Sequence, residues 1–155
     1  MNEGLYRLVY ISRNEIAGDD DTTIHREIEQ ILASSRVNNP RVNITGALMF
    51  NAGCFAQVLE GRHDDIQSTF ERIQCDSRHS HVVVLAFETA LERTFSKWSM
   101  AYQGSDSNAS AKFGDIIAAA DFDPALLKSN RIFDLLREHL LEAEPALSKP
   151  GAPGD

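Results

Sequence analysis

Short apolar runs and helical spacings alternate along the first two-thirds of the chain. Leu5-Tyr6-Arg7-Leu8-Val9-Tyr10-Ile11 is rich in β-formers and predicts a first strand. After a polar, acidic stretch from Asn14 to Asp21, residues Ile24, Ile28, Ile31 and Leu32 recur at helical intervals. Asp19, Asp20 and Asp21 sit just ahead, where negative charge suits the positive end of a helix. Pro40 disfavours helical backbone in the residue before it, so this helix should finish near Ser35–Arg36. Asn43 to Phe50 and Cys54 to Leu59 predict two strands joined by Asn51-Ala52-Gly53, a short hairpin connection. Ile66, Phe70 and Ile73 mark a second amphipathic helix, with Asp64 and Asp65 in its first turn. His81 to Phe87 is a β-branched strand, and Phe95 to Tyr102, carrying the only tryptophan, Trp98, predicts a fifth. The order β-α-β-β-α-β plus one strand predicts an α+β, ferredoxin-like sheet with both helices on one face.

Beyond Gly104 the pattern turns helical. Phe113, Ile116 and Ile117 form a short stripe, Asp123-Pro124 suits a helix start, and Ile132, Phe133, Leu136 and Leu140 continue an apolar face. From Pro145 onward there is no periodicity, which predicts a flexible tail. The expected division is residues 1–104 as the main domain, 105–144 as a C-terminal helical extension, and 145–155 as the tail. The C-terminal helices carry enough apolar surface to cover the second face of the sheet and to serve a homo-oligomer interface.

One position in this pattern carries chemistry. Gln57 lies inside the apolar run Cys54 to Leu59 and shares a strand face with Phe55 and Leu59, so it points into the core. An amide has two donors and a two-lone-pair acceptor to satisfy, and leaving a buried polar group unpaired costs about 1–3 kcal/mol. Tyr10 on the first strand and the amide pair Asn38-Asn39 are further polar candidates for the same interior. Three separate segments supplying hydrogen-bonding groups to one core suggest a polar aromatic ligand. Composition narrows the partners. The formal net charge of −8 argues against nucleic acid, whose phosphates call for a basic patch. The longest apolar stretch, Val82 to Phe87, is six residues, against the about 20 of a membrane helix, and no signal pattern opens the chain. Cys54 and Cys75 read as reduced thiols of a cytoplasmic protein. His79 and His81 lack a third ligand at metal spacing, so no metal is expected.

Taken together, several segments resemble the BLUF family of flavin-binding blue-light sensors. They are Leu5 to Tyr10, Ser34-Ser35-Arg36-Val37-Asn38-Asn39, Asn43-Ile44-Thr45-Gly46-Ala47-Leu48, Phe55 to Gly61, Asp76-Ser77-Arg78-His79 and Trp98-Ser99-Met100. The resemblance implies a noncovalent FAD between the two helices, with FMN or riboflavin as substitutes. It makes Tyr10 the electron and proton donor to the photoexcited flavin, and Gln57 the bridge between that hydroxyl and the flavin. By the same resemblance Asn39 and Arg78 pair with the ring edge and Ile31 packs on it. Ser35, Asn38 and His79 line the pocket, while Trp98 and Met100 couple Gln57 to the sheet. A chain of 155 residues has no room for an output enzyme beside the sensor, so it is expected to signal to a separate effector and not to be an enzyme itself.

Two other readings share the fold. A regulatory interaction domain without chromophore would bind no flavin. An acylphosphatase-like enzyme needs an anion-cradling, glycine-rich loop with an arginine after the first strand, where this chain is acidic. Ile11 and the long acidic stretch Asn14 to Asp21 depart from the usual family pattern without touching the motif positions.

Overall fold

The computed structural model describes residues 4–16, 21–51, 53–96, 100–103, 112–113, 115–117 and 129–142. Five strands, β1 (Leu5–Asn14), β2 (Thr45–Asn51), β3 (Cys54–Arg62), β4 (His79–Thr89) and β5 (Ala101–Gln103), form one sheet in the order β4-β1-β3-β2-β5. The first four run antiparallel, and β5 adds to β2 in parallel. Three helices are described: α1 (Asp21–Arg41), α2 (His63–Gln74) and α3 (Ser129–Glu142). This is the ferredoxin-like arrangement that the spacing predicts, with an extra edge strand.

Strand alternation sorts the apolar side chains into two cores. Leu8 and Tyr10, Leu48 and Phe50, and Phe55 and Leu59 face α1 and α2, where Ile28, Leu32 and Ile66 meet them. Val9 and Ile11, Ala47 and Met49, and Ala56 and Val58 face the other way. There Phe113, Ile117, Ile132, Leu135 and Leu136 cover them. Because both faces are covered, β3 is buried at every position from Cys54 to Gly61. Gly46 is dictated by this packing, since a Cβ there would lie 2.0 Å from the Val58 carbonyl oxygen.

Two elements differ from the sequence expectation. α1 does not stop near Ser35–Arg36 but continues to Arg41, with Pro40 in its last turn. The bonds that close this end compensate for the proline. The Asn39 carbonyl accepts from the Val42 and Ile44 amides at 3.2 and 2.9 Å, and the Pro40 carbonyl accepts from Asn43 at 3.2 Å. Asn43 takes the left-handed conformation (φ 55) that suits a helix exit. The fifth strand is Ala101–Gln103 and does not reach back to Phe95, which lies in the core beneath α3. Trp98 lies outside the described residues.

A buried carboxylate fixes the turn into that last segment. Glu60 is fully buried on the α3 side of β3. Its Oε2 accepts from Arg7 Nε and Nη2 at 3.1 and 2.9 Å, and its Oε1 accepts from the Phe95 amide at 2.9 Å. The Thr94 amide sits 3.1 and 3.0 Å from the two oxygens. Arg7 in turn stacks on the Phe133 ring of α3 at 4.2 Å, so one charge ties β1, β3, the approach to β5 and α3 together.

Candidate functional site

Antiparallel register places Tyr10 on β1 directly opposite Gln57 on β3, both 3% exposed. The phenol donates to Gln57 Oε1. The amide's other end, Nε2, donates to the Met100 sulfur at 3.4 Å. A thioether is a weak acceptor, so one N–H of Gln57 and one lone pair of its oxygen have no described protein partner. Burial, followed by the Asp76 carboxylate, pushes the Tyr10 phenol well above its ordinary value, so it holds its proton firmly in the folded protein.

This pair opens on a cleft between α1 and α2. The extended α1 matters here, because its last turns carry Ile31, Ser34, Ser35, Asn38 and Asn39 on a single helical face lining the cleft. Asn38 Nδ2 donates to Ser34 Oγ at 3.2 Å, and Asn39 is 3% exposed. From the other side come Thr69, Arg72 and Ile73 of α2, then Asp76 and Arg78. Tyr10, Phe55, Leu48 and His79 line its inner end, which shares Ile31, Ser35, Gln57 and Arg78 with the mouth.

Arg78 and His79 are oriented by neighbours. Asp76 accepts from Arg78 Nη2 at 2.6 Å and, as a local turn, from the Arg78 backbone amide at 2.9 Å. The bond from the Arg78 side chain holds the Asp76 carboxyl below its ordinary range, and the same pairing raises Arg78. His79 Nε2 lies 2.7 Å from the Ile73 carbonyl, which only accepts. The neutral ring therefore carries its hydrogen on Nε2, and Nδ1 receives the Ser12 hydroxyl at 2.8 Å. Both His79 nitrogens are thus engaged within the protein, and the Arg78 guanidinium is paired with Asp76 at the cleft. His81, two residues on, turns away at φ 52 beside Ser80.

Of the sequence-predicted residues, Tyr10, Gln57, Ile31, Ser35, Asn38, Asn39, Arg78 and His79 all line this one cleft, and Met100 touches Gln57. Trp98 is outside the described residues. Sequence reading assigned no role to Asp76 or to Glu60. The aspartate two residues before Arg78 was the available signal for the first. For the second it was a charge inside the apolar run, on the strand face opposite Gln57.

The donor set fits a planar ring bearing both carbonyl and N–H edges: three amides, hydroxyls and one oriented guanidinium, beside an aliphatic wall at Ile31. Comparison with known proteins identifies such a ligand. The profile of the BLUF family, described as sensors of blue light using FAD, matches residues 5–101. The chain belongs to this family and is a blue-light photoreceptor with FAD as its cofactor.

Among curated relatives, the blue light- and temperature-regulated antirepressor BluF of Escherichia coli K12 is 31% identical over 62% of this chain. The photoactivated adenylate cyclase subunit beta of Euglena gracilis is 28% identical over 66%. The matched region amounts to only 23% and 12% of those two proteins. Among solved structures, that of BlrB, a BLUF protein in its dark state, has a TM-score of 0.70 at 27% identity and covers 92% of this chain and 99% of that one. The BlsA ground state also has a TM-score of 0.70 at 27% identity, covering 88% of each chain.

Proposed function

We propose that Tyr10 and Gln57 form the switch of this photoreceptor, and that the cleft between α1 and α2 holds the flavin noncovalently. The observation that carries this reading is the buried chain Tyr10 hydroxyl–Gln57 amide–Met100 sulfur at the floor of that cleft. When bound, the flavin supplies light absorption and an excited state able to accept an electron. Tyr10 supplies an oxidisable phenol whose proton has one described exit, Gln57 Oε1. Gln57 can exchange its donor and acceptor ends without moving net charge, which suits a buried site where displacing a charge is expensive. Asn38 and Asn39 orient the ring edge, Ile31 packs on its face, Arg78 neutralises charge at its carbonyl side, and Ser35 and His79 shape the pocket. Met100, together with Trp98, passes the amide's orientation to β5.

The same reading makes this chain a cytoplasmic sensor and not itself an enzyme. Residues 1–104 form the photosensory unit and residues 105–144 the output extension, acting on a separate effector and within a homo-oligomer. The names of the relatives support variety of output, since one is a cyclase subunit and another an antirepressor. Packing of Phe113, Ile117, Ile132, Leu135 and Leu136 against the far face of the sheet puts the extension within reach of the switch strand. No described helix is long and apolar enough to cross a membrane.

The test is to release the chromophore by heat, quantify it against protein, and record absorption before and after blue light. One flavin per chain and a red shift that reverses in the dark are expected. A colourless protein that takes up no added flavin contradicts the reading.

A further inference from the structure

Met100 is held from a side that the switch does not use. Arg36, in α1, donates from Nε to the Met100 carbonyl at 3.2 Å. The chain approaching Met100 is fixed at its other end by Glu60, which accepts from the Thr94 and Phe95 amides. Phe95 belongs to the core beneath α3 and Met100 to the core beneath α1 and α2, so the chain changes cores between these two anchors. The sulfur that touches Gln57 therefore belongs to a residue whose backbone carbonyl is held by a guanidinium from α1. An amide that reverses its ends must sweep its Nε2 past that sulfur, now at 3.4 Å. A sulfur whose backbone is pinned yields less readily than one that can step aside.

We propose that Arg36 is a positioning residue for the switch. By holding the Met100 carbonyl it presses the thioether against Gln57 and slows the return of the amide in the dark. The inference rests on the photoreceptor reading above. It assigns to α1 a second task beyond lining the cleft, namely setting the lifetime of the lit state.

The experiment uses the flavin-loaded full chain and follows recovery of the dark spectrum after a blue pulse. Arg36→Ala should keep the flavin and the red shift but recover about three- to tenfold faster, the size expected for losing one charged hydrogen bond that is only partly buried. Arg36→Lys keeps a donor for the carbonyl and should recover within about threefold of the parent protein. In a Met100→Ala background Arg36→Ala should add no acceleration, because the contact it acts through is gone. Arg36→Gln, closer in length, repeats the test should the alanine variant lose flavin.

A second readout needs no chromophore: the Met100 methyl resonance, identified by its loss in Met100→Ala, should move in flavin-free Arg36→Ala. The role is overturned by recovery less than threefold faster, by slower recovery, by equal acceleration in the Met100→Ala background, or by an unmoved methyl resonance. The photoreceptor reading fails separately, when the parent protein itself shows no dark-reversible shift, and the positioning role falls with it.

Discussion

Replacing Glu60 by glutamine changes one atom and should cost about 2–3 kcal/mol of stability. The carboxylate serves two groups of donors at once. Oε2 receives the Arg7 fork at 3.1 and 2.9 Å, while Oε1 receives the Phe95 amide at 2.9 Å, with the Thr94 amide between them. A glutamine can offer its oxygen to only one side and turns an NH2 group toward donors on the other. Breaking a fully buried ion pair costs about 3–5 kcal/mol. Arg7, however, is 20% exposed and also donates to the Glu92 carbonyl and Thr94 Oγ1, each at 3.1 Å, which lowers the figure. A loss of this size is a large share of the about 5–15 kcal/mol that domains possess. Urea unfolding of the flavin-loaded protein should show a lower midpoint at unchanged slope. A loss below about 1 kcal/mol at unchanged slope would mean that the network around Glu60 is not the anchor described, since a single charged hydrogen bond exceeds it.

Further outcomes follow from the same geometry. Asp76→Asn should release Arg78 and weaken flavin binding about tenfold at neutral pH, the scale of one charge-assisted contact, as measured by flavin titration. Because the Arg78 bond depresses Asp76, its contribution to stability is complete above the ordinary value of 3.8 and is lost as pH falls below it through the folded value; acid unfolding of Asp76→Asn should be correspondingly less steep. Tyr10 is shifted the other way, so the native state keeps its proton above the ordinary value of 10.0 and stability falls as pH rises beyond that point. In an alkaline titration read by tyrosinate absorbance, the parent protein and Tyr10→Phe should differ only once the fold is lost. Light-minus-dark hydrogen exchange should be largest at Met100–Gln103 and in α3, and Met100→Ala should shrink the α3 difference while keeping the red shift; identical exchange in α3 would place the output on another surface.

The sheet was legible because alternation and helical spacing are local signals, and the first four strands, α2 and the body of α1 fall where they predict. What local rules missed depends on contacts distant in sequence. The proline rule ends α1 too early, since burial of Asn39 and the bonds to Val42 and Ile44 outweigh the lost helical bond. That error hid the reason why Ser34, Ser35, Asn38 and Asn39 share one face. Alternation extended the fifth strand back to Phe95, whereas Glu60, on a strand thirty-five residues earlier, holds the Phe95 amide instead. Gln57 was visible from sequence as an amide in an apolar run, and Tyr10 as its companion. The family resemblance implied their pairing; its physical cause, the register between β1 and β3, is a long-range feature that no single segment encodes.

If the Tyr10–Gln57 pair makes the bound flavin a light switch, removing either member must abolish the switch while leaving the flavin in place. The most direct measurement is the blue-light difference spectrum of the parent protein beside Tyr10→Phe and Gln57→Leu, each shown to carry one flavin. The parent protein should show a dark-reversible red shift, Tyr10→Phe no shift, and Gln57→Leu no normal shift. A full, reversible shift in either variant would contradict it.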